Sequence, residues 1–324
     1  MNNHNQEEST IDSLTYFAKD VLKGLSAKPK KLSSRYFYDA IGDKLFQQIM
    51  ALEEYYPTRT EHEILETRKQ EILKCFDGPF RLIELGAGDG KKTKVLLKYF
   101  VDQKVPFTYS PVDISEDILE ELRKSLVSEI PNLKVEPLTG DYFHVMEETV
   151  SHEEQRNVVL FLGSNIGNYS NILRDDFLQK LRENLKKGDQ TLIGFDLKKD
   201  PQTILNAYND SQGVTRDFNK NLLTRINNEL GGNFDLDKFQ HFPSYNPDTG
   251  ECRSYLLSTE TQVVNIAGLD ATFHFTKWEP IFMEISKKFN FEEISELAER
   301  HDFKVTHNFT DSKDWYVDSV WEAI

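Results

Sequence analysis

The sequence predicts an α/β fold built around a doubly wound parallel sheet between residues 81 and 197. Short apolar runs alternate there with helix-like stretches, which is the pattern of parallel strands joined by right-handed helical crossovers. Residues 158–162 are apolar throughout, as expected for a strand buried on both faces. A glycine-rich turn at 86–90 follows the first strand directly. Ligands of such sheets bind at the carboxyl ends of the strands, so we expect the functional site at that edge.

The individual elements of this sheet follow from local periodicity. Runs rich in apolar and β-branched residues predict strands at 81–85, 107–114, 133–138, 158–162 and 190–197. Helix-like stretches between them predict helices at 91–100, 115–129 and 177–185. Ser115 is a suitable N-cap for the second helix, and the acidic residues Glu116 and Asp117 complement the positive end of its dipole.

The segments on either side of this sheet have different patterns. Before it, a helical face begins at Ile11, aromatic residues are dense between 33 and 62, and another helix is predicted from 60 to 75. After it, residues 198–287 contain turns and long strand-like stretches such as 253–266, which indicates an inserted lobe. The last segment returns to a helix and two strands at 303–309 and 315–321, and such a hairpin can complete a parallel sheet with an antiparallel strand.

Length and composition limit the class of protein. The 324 residues suit about two domains, and the formal net charge of −15 disfavours a nucleic-acid partner, which needs a basic face. The two cysteines, Cys75 and Cys252, cannot form a disulfide framework or a structural zinc site, and we expect no metal. No apolar run approaches the roughly 20 residues of a membrane span, so we expect no membrane partner. The polar, acidic start favours a cytoplasmic protein, and a monomer is the default expectation for this acidic surface.

The glycine turn is compatible with several kinds of site. A phosphate-binding P-loop would need glycine at position 85 and serine or threonine in place of Lys92, so that interpretation fails. The dinucleotide fingerprint would need a glycine where Lys91 stands, which weakens a nicotinamide oxidoreductase without excluding it. The third nucleotide interpretation is the GxGxG loop of S-adenosylmethionine (SAM)-dependent methyltransferases, formed here around Gly86 and Gly88. A tight strand-to-helix turn without a ligand would also explain the glycines.

Two carboxylates favour the SAM interpretation. Asp113 ends the second predicted strand, where a carboxylate can accept hydrogen bonds from both hydroxyls of a ribose. Asp141 follows the third strand, where a carboxylate can accept from an adenine amino group. Either acid alone is also explained as a helix cap or a loop acid. Because both follow successive strands in step with the glycine turn, we expect SAM as the cofactor.

Several stretches together resemble one family. They are residues 30–39, 55–61, 82–86, 161–168, 208–210, 213–215, 233–237 and 284–289, which read KKLSSRYFYD, YYPTRTE, LIELG, FLGSNIGN, YND, GVT, NFDLD and EISKKF. The sequence resembles the histidine-specific, SAM-dependent methyltransferases of ergothioneine biosynthesis over nearly its whole length. The resemblance implies a class I (Rossmann-like) methyltransferase domain at 63–197 and 288–324. It also implies a second, α+β substrate-binding lobe at 1–62 and 198–287.

The implied reaction is the successive transfer of three methyl groups from SAM to the α-amino nitrogen of L-histidine, a small-molecule substrate. Its product is hercynine, the trimethylammonium betaine of histidine. Gly86 and Lys92 would lie at the methionine end of the cofactor. The complete candidate set for cofactor binding is Gly86, Gly88, Lys92, Asp113, Asp141 and Tyr142.

The resemblance also implies substrate contacts. Tyr55, Asn168 and Tyr208 would hold the substrate carboxylate with neutral hydrogen-bond donors. Glu284 and Ser286 are two residues apart, so on an extended strand they share a face and would bond to the two imidazole nitrogens.

The amine side of the substrate would be lined by aromatic side chains. Tyr38 is the candidate catalytic residue, which would orient the amine and help its proton to leave, directly or through water. Phe46 would form a second wall, and aromatic walls suit the cationic product through cation–π attraction.

Two positions depart from the family pattern. The glycine turn is closer to that of generic methyltransferases, and Ser254 stands where a larger apolar residue is expected beside the imidazole. Because a smaller side chain enlarges the pocket, methylation of another amino acid or small amine is a second hypothesis. A non-catalytic protein that senses SAM or an amino acid on the same scaffold is a third.

Overall fold

The chain forms two compact units. The computed structural model describes residues 15–76, 78–88, 90–114, 116–150 and 155–324. The first unit consists of Met1–Tyr56 and Asp200–Ser286, and the second of Pro57–Lys199 and Lys287–Ile324. The sequence expectation placed its divisions after residues 62, 197 and 287. No helix in the described ranges is long and apolar enough to cross a membrane.

The described elements are named here in chain order. The helices are α1 (Tyr16–Ser26), α2 (Ala40–Ala51), α3 (Pro57–Cys75), α4 (Lys94–Asp102), α5 (Glu116–Glu129), α6 (Tyr142–Val150), α7 (Asn171–Glu183), α8 (Pro201–Ala207), α9 (Val214–Leu230) and α10 (Phe291–Arg300). The strands are β1 (Lys30–Lys31), β2 (Phe80–Leu85), β3 (Phe107–Asp113), β4 (Leu138–Thr139), β5 (Arg156–Phe161), β6 (Gln190–Asp196), β7 (Phe239–Asn246), β8 (Glu251–Ser258), β9 (Gln262–Ile266), β10 (Ala271–Phe275), β11 (Pro280–Lys287), β12 (Phe303–Thr310) and β13 (Tyr316–Ala323).

The second unit is built on a sheet with the strand order β12-β13-β6-β5-β2-β3-β4. Strands β2 to β6 pair in parallel, whereas β13 is antiparallel to both β6 and β12. The predicted parallel sheet with a terminal antiparallel hairpin is therefore confirmed. Because the chain order reverses beside β2, the topology places a ligand crevice at the carboxyl end of that strand.

The core of this unit lies on both faces of the sheet. In β5, Val158 and Leu160 pack into the cluster on one face, and Val159 and Phe161 pack into the cluster on the other. Successive side chains of a strand point to opposite faces, so an unbroken apolar run is what a doubly covered strand requires.

Several boundaries differ from the sequence expectation. The third strand, predicted at 133–138, is reduced to β4 and an isolated bridge at Val135, because Pro137 between them has no N–H to donate to the ladder. Helix α3 begins at Pro57 rather than at residue 60, as proline is favoured in the first turn of a helix. Helix α6 was not predicted. The expected N-cap Ser115 and the helical face at 11–14 lie outside the described residues.

The first unit combines a mixed sheet, a hairpin and helices. Its sheet has the order β1-β11-β8-β7, and β9 and β10 form a separate antiparallel pair. The strand-like stretch at 253–266 was therefore wrongly read as continuous, since β8 and β9 belong to different sheets. The 17-residue helix α9 was also missed, because its many polar residues obscure the apolar stripe Phe218, Leu222 and Ile226. These three side chains are buried in the core of the unit.

Candidate active site

The glycine turn of the second unit lies at the carboxyl end of β2. Gly86 has a φ of +75°, and a Cβ there would lie 2.9 Å from the Tyr142 hydroxyl. Gly88 has a φ of +55°, and a Cβ there would meet no atom of the described residues within 4 Å. The turn therefore needs glycine at Gly86 for the close approach of Tyr142, and it leaves open space at Gly88 into which a ligand can approach the backbone.

Two neighbouring strand ends lie beside this turn. The Gly86 N–H donates to the Val112 carbonyl over 3.2 Å, and the Gly140 N–H donates to the Asp113 carbonyl over 3.0 Å. Asp113 ends β3, and Asp141 follows the paired strand β4. The structure therefore brings the predicted cofactor acids to one edge of the sheet with the glycine turn.

Tyr142 has acidic surroundings at this edge. Burial, followed by the charges of Tyr169, Asp113 and Asp141, raises the pKa of Tyr142 to about 12. Its phenol consequently stays protonated at neutral pH and can donate a hydrogen bond.

Sequence reasoning missed an apolar residue at the same edge. Ile114 directly follows Asp113 and is 80% exposed. The available signal in the sequence was an apolar residue directly after the acid that ends a strand. A nucleotide base bound beside a ribose needs such an apolar surface to lie against.

A buried carboxyl group lies in β2, just before the glycine turn. Glu84 in β2 accepts hydrogen bonds from the Thr93 hydroxyl, over 2.5 Å, and from the Tyr109 hydroxyl. Burial raises the pKa of Glu84 to about 7, although both hydroxyls and the charge of Lys92 act in the opposite direction. The strand that leads into the glycine turn therefore contains a buried acid whose pKa is raised to near neutral pH.

Lys92, the predicted contact of the methionine end, is paired with an acid that sequence reasoning did not single out. Its ammonium group donates to Glu61 of α3, and 29% of the Lys92 side chain remains exposed while Glu61 is 1% exposed. Burial lowers the pKa of Lys92, but the Glu61 charge and hydrogen bond outweigh it and hold this pKa above its ordinary value. Glu61 ends the stretch YYPTRTE that carried part of the resemblance.

The first unit holds a continuous group of aromatic rings. Phe46 lies 5.5 Å from Tyr38 and 6.4 Å from Tyr55, measured between ring centroids, and Tyr55 lies 6.5 Å from Tyr208. Phe218 of the missed helix α9 contacts both Tyr38 and Phe46, at 5.6 and 5.8 Å. The structure therefore brings four predicted site residues together and adds Phe218 to them.

Polar groups meet this aromatic group at β11. The Tyr208 hydroxyl donates to the Ser286 hydroxyl over 2.8 Å, and Glu284 precedes Ser286 on the same strand. Tyr38 keeps 46% of its surface accessible, yet the protein atoms around its phenol raise its pKa, and the negative charge of Glu284 raises it further. Tyr38 is consequently a neutral phenol at physiological pH. Ser254 is buried on β8, the strand beside β11.

Asn168 belongs to the second unit. It ends the short 3-10 segment Asn165–Asn168 that follows β5. The turn before it is fixed by two contacts, since the Asp196 N–H donates to the Ser164 hydroxyl over 3.1 Å and the Gly163 N–H donates to Glu61 over 2.6 Å. The amide is thus placed after the carboxyl end of a central strand, as predicted.

The strand-end residues of the second unit suit SAM. A Cβ at Gly88 would meet no described atom, acids follow two strands, an exposed apolar side chain lies beside one of them, and 29% of the Lys92 side chain remains exposed. These are partners for a ribose, an adenine and a carboxylate. Among the residues that the structure describes, no group of three or more His, Cys, Asp or Glu side chains is placed to hold a metal ion.

Sheet order and strand-end residues together define a Rossmann-like, SAM-dependent methyltransferase domain. The sequence model of one family, described as "Histidine-specific methyltransferase, SAM-dependent", matches residues 17–323. The chain belongs to this family and is a SAM-dependent methyltransferase, which sets aside the non-catalytic and nicotinamide interpretations.

Curated relatives cover most of the chain. A histidine N-alpha-methyltransferase of Mycolicibacterium smegmatis is 39% identical over 294 residues, which are 90% of this chain and 90% of the relative. A histidine N-alpha-methyltransferase of Mycobacterium tuberculosis is 36% identical over 86% of this chain and 87% of its own. An L-tryptophan methyltransferase of Psilocybe serbica is 27% identical over 95% of this chain and 93% of its own. Relatives of this chain therefore include proteins named for two different amino acids.

Proposed function

We propose that this enzyme methylates the α-amino nitrogen of L-histidine three times and so produces hercynine. The observation that carries the proposal is the hydrogen bond between Tyr208 and Ser286, with Glu284 two residues away on the same strand. A carboxylate and a hydroxyl on one strand suit the two nitrogens of an imidazole, one as acceptor and one as donor. The two histidine N-alpha-methyltransferases described above support the same substrate.

The proposed cofactor contacts all belong to the second unit. Asp113 accepts from the ribose hydroxyls, Asp141 from the adenine amino group, and Ile114 lies against the base. Lys92 binds the cofactor carboxylate, the backbone at Gly86 and Gly88 approaches the methionine part, and Tyr142 donates a hydrogen bond beside it. When bound, SAM supplies an electrophilic methyl group on a sulfonium.

The proposed substrate contacts divide by chemistry. Glu284 and Ser286 hold the imidazole, and Tyr55, Asn168 and Tyr208 donate to the carboxylate. Since a phenol has one hydrogen, Tyr208 cannot donate to Ser286 and to a carboxylate together. We infer that histidine binding turns the Tyr208 hydroxyl to the carboxylate, while the Ser286 hydroxyl turns to the imidazole.

The aromatic group has the proposed task of preparing the amine. An α-ammonium must lose a proton before its nitrogen lone pair can form a bond to carbon. Tyr38 stays neutral, so it orients the amine as a hydrogen-bond acceptor and passes the proton toward water rather than acting as a phenolate base. Positioning supplies most of the rate enhancement in such a displacement. Phe46 and the Tyr38 ring stabilise the cation that forms with the third methyl group.

A competition among amino acids tests the substrate. The purified enzyme is incubated with SAM and an equimolar mixture of the common amino acids, and products are read by mass spectrometry. We expect histidine alone to gain the mass of three methylene groups. Glu284→Ala should lower kcat/KM for histidine by about tenfold to a hundredfold, the cost of a lost hydrogen bond to a charged group. Glu279→Gln, which alters a residue just before β11 that pairs with Lys30, is the matched control.

Methylation of a different amino acid is the second candidate, and Ser254 favours it. Ser254 is buried on the strand next to Glu284 and Ser286, and its side chain is smaller than the apolar residue of the family pattern, which would suit a larger substrate group. If the competition yields a methylated aromatic amino acid instead of histidine, Ser254→Leu should suppress that product. A histidine product from the unchanged enzyme would reject this candidate.

A further inference from the structure

Glu61 lies on the buried face of α3, together with Thr60, Ile64 and Leu65. Although it is acidic, its side chain is only 1% exposed. Its Oε2 accepts from the Lys92 ammonium group, and its Oε1 accepts from the Gly163 N–H over 2.6 Å. Oε1 also accepts from the Tyr316 hydroxyl over 2.8 Å. One carboxylate thus joins α3 to the glycine-turn lysine, to the turn after β5 and to β13.

The neighbouring strand is shaped to hold this carboxylate. A Cβ at Gly194 of β6 would lie 2.5 Å from Glu61 Oε1 and 2.5 Å from the Tyr316 hydroxyl. A Cβ at Gly163 would lie 3.1 Å from the Lys92 nitrogen. The Glu61 carboxylate and the Lys92 ammonium group fit here because Gly194 of β6 and Gly163 after β5 have no side chains. The fold therefore accommodates a buried ion pair at a place where apolar side chains could have packed instead.

Two other titratable groups near Glu61 keep their protons. Asp318 of β13 is fully buried, and neither of its oxygens has a hydrogen-bond partner within the described ranges. Burial and the Glu61 charge raise the pKa of Asp318 well above its ordinary value, despite Lys92, so Asp318 keeps its proton. Burial and the Glu61 charge likewise keep Tyr316 protonated, and the charge of Glu84 acts with that of Glu61 in raising the pKa of Lys92.

We propose that Glu61 is a positioning residue, which keeps the Lys92 ammonium charged and directed at the cofactor carboxylate while it fixes the Gly163 turn that leads to Asn168. The proposal rests on the proposed role of Lys92. Without the Glu61 charge, burial would favour the neutral lysine amine. An amide in its place would also turn hydrogens toward the ammonium group.

The test measures binding of S-adenosylhomocysteine by calorimetry between pH 7 and pH 9, so no turnover is needed. Glu61→Gln should weaken binding by at least about tenfold at neutral pH, the value of a hydrogen bond to a charged group. The weakening should grow as pH rises and Lys92 loses its proton, whereas the unchanged enzyme should show a nearly constant affinity. Glu66→Gln, which removes the exposed pair with Lys69 on the same helix, should change nothing.

A double-mutant comparison separates this proposal from the role of Lys92. If Glu61 acts through Lys92, the double variant of Glu61→Gln and Lys92→Met should bind no more weakly than Lys92→Met alone. Additive losses, unchanged affinity or tighter binding in Glu61→Gln would overturn the inference. Unchanged affinity in Lys92→Met would overturn both the inference and the proposed cofactor contact.

A conservative variant keeps the test decisive if Glu61→Gln does not fold. Glu61→Asp retains the charge but withdraws the carboxylate by one methylene. We expect severalfold weaker binding with a constant pH profile, because the charge on Lys92 is kept while its direction is lost. Affinity equal to that of the unchanged enzyme would count against the proposal.

Discussion

At the scale of single residues, the candidate site separates groups that carry charge from groups that are kept neutral. Tyr38 stays neutral because neighbouring atoms and the Glu284 charge raise its pKa. Lys92 stays charged because Glu61 raises its pKa against the effect of burial. Burial disfavours the charged form of both groups, and only Lys92 has a partner of opposite charge that outweighs this effect.

The hydroxyl of Tyr38 is the residue-scale feature that is easiest to isolate. Tyr38→Phe should keep the ring contacts with Phe46 and Phe218 and lose the hydrogen bond to the amine. We expect kcat to fall about tenfold to a hundredfold with little change in the KM for the amino acid. Steady-state kinetics checks this. Tyr36→Phe, which removes a nearby hydroxyl bonded to Asp20, is the control and should leave kcat unchanged; full activity in Tyr38→Phe would reject the proton role.

At the scale of elements, a glycine can be needed in a turn for its backbone conformation or for the space that it leaves to a ligand, and the two needs can be tested separately. Gly88 and Gly188 both have a positive φ, and a Cβ at either position would meet no atom of the described part of the chain within 4 Å. Gly88→Ala and Gly188→Ala should each cost about 1 to 2 kcal/mol of stability from backbone strain. Calorimetry should show weaker S-adenosylhomocysteine binding for Gly88→Ala alone. Equal affinity in the two variants would mean that the space at Gly88 is not used by the cofactor.

The contribution of Glu84 in β2 to the stability of the fold depends on pH. The pKa of Glu84 is raised from 4.5 to about 7, so the folded protein holds a proton that the unfolded chain releases at lower pH. Stability from this group is complete below pH 4.5 and is lost as pH rises through 7. Glu84→Gln resembles the protonated acid, so its stability relative to the unchanged enzyme should rise between pH 5 and 8, by up to about 3 kcal/mol.

Chemical denaturation at several pH values measures the expected change. Glu66→Gln removes an exposed carboxylate instead and should give a difference that stays nearly constant with pH. A constant difference for Glu84→Gln as well would contradict the buried, titrating acid.

At the scale of the whole molecule, sequence reasoning succeeded where one physical rule determines the outcome. The run at 158–162 had to be a doubly buried strand, and Asp113 and Asp141 had to follow neighbouring strands once the parallel sheet was assumed. It failed where tertiary contacts decide. Helix α9 is stabilised by burial of a narrow apolar stripe, and the Glu61 contacts join residues as far apart in sequence as Tyr316. No local pattern reveals such pairs.

The proposed division of labour between the two units leads to a test on the intact chain. If the second unit binds the cofactor, S-adenosylhomocysteine should slow hydrogen exchange at the ends of β2 and β3 and in the turn before α6, because a ligand that binds only the folded state suppresses local opening. If the first unit binds the amino acid, histidine added next should slow exchange in α2, at Tyr208 and along β11. Mass spectrometry of peptides from the exchanged protein reports each segment separately. Leucine, which has no imidazole, is the control ligand and should leave β11 unprotected. Protection by histidine confined to the second unit would contradict the assignment of Glu284 and Ser286, whereas protection of β11 by histidine and not by leucine would place imidazole recognition on that strand.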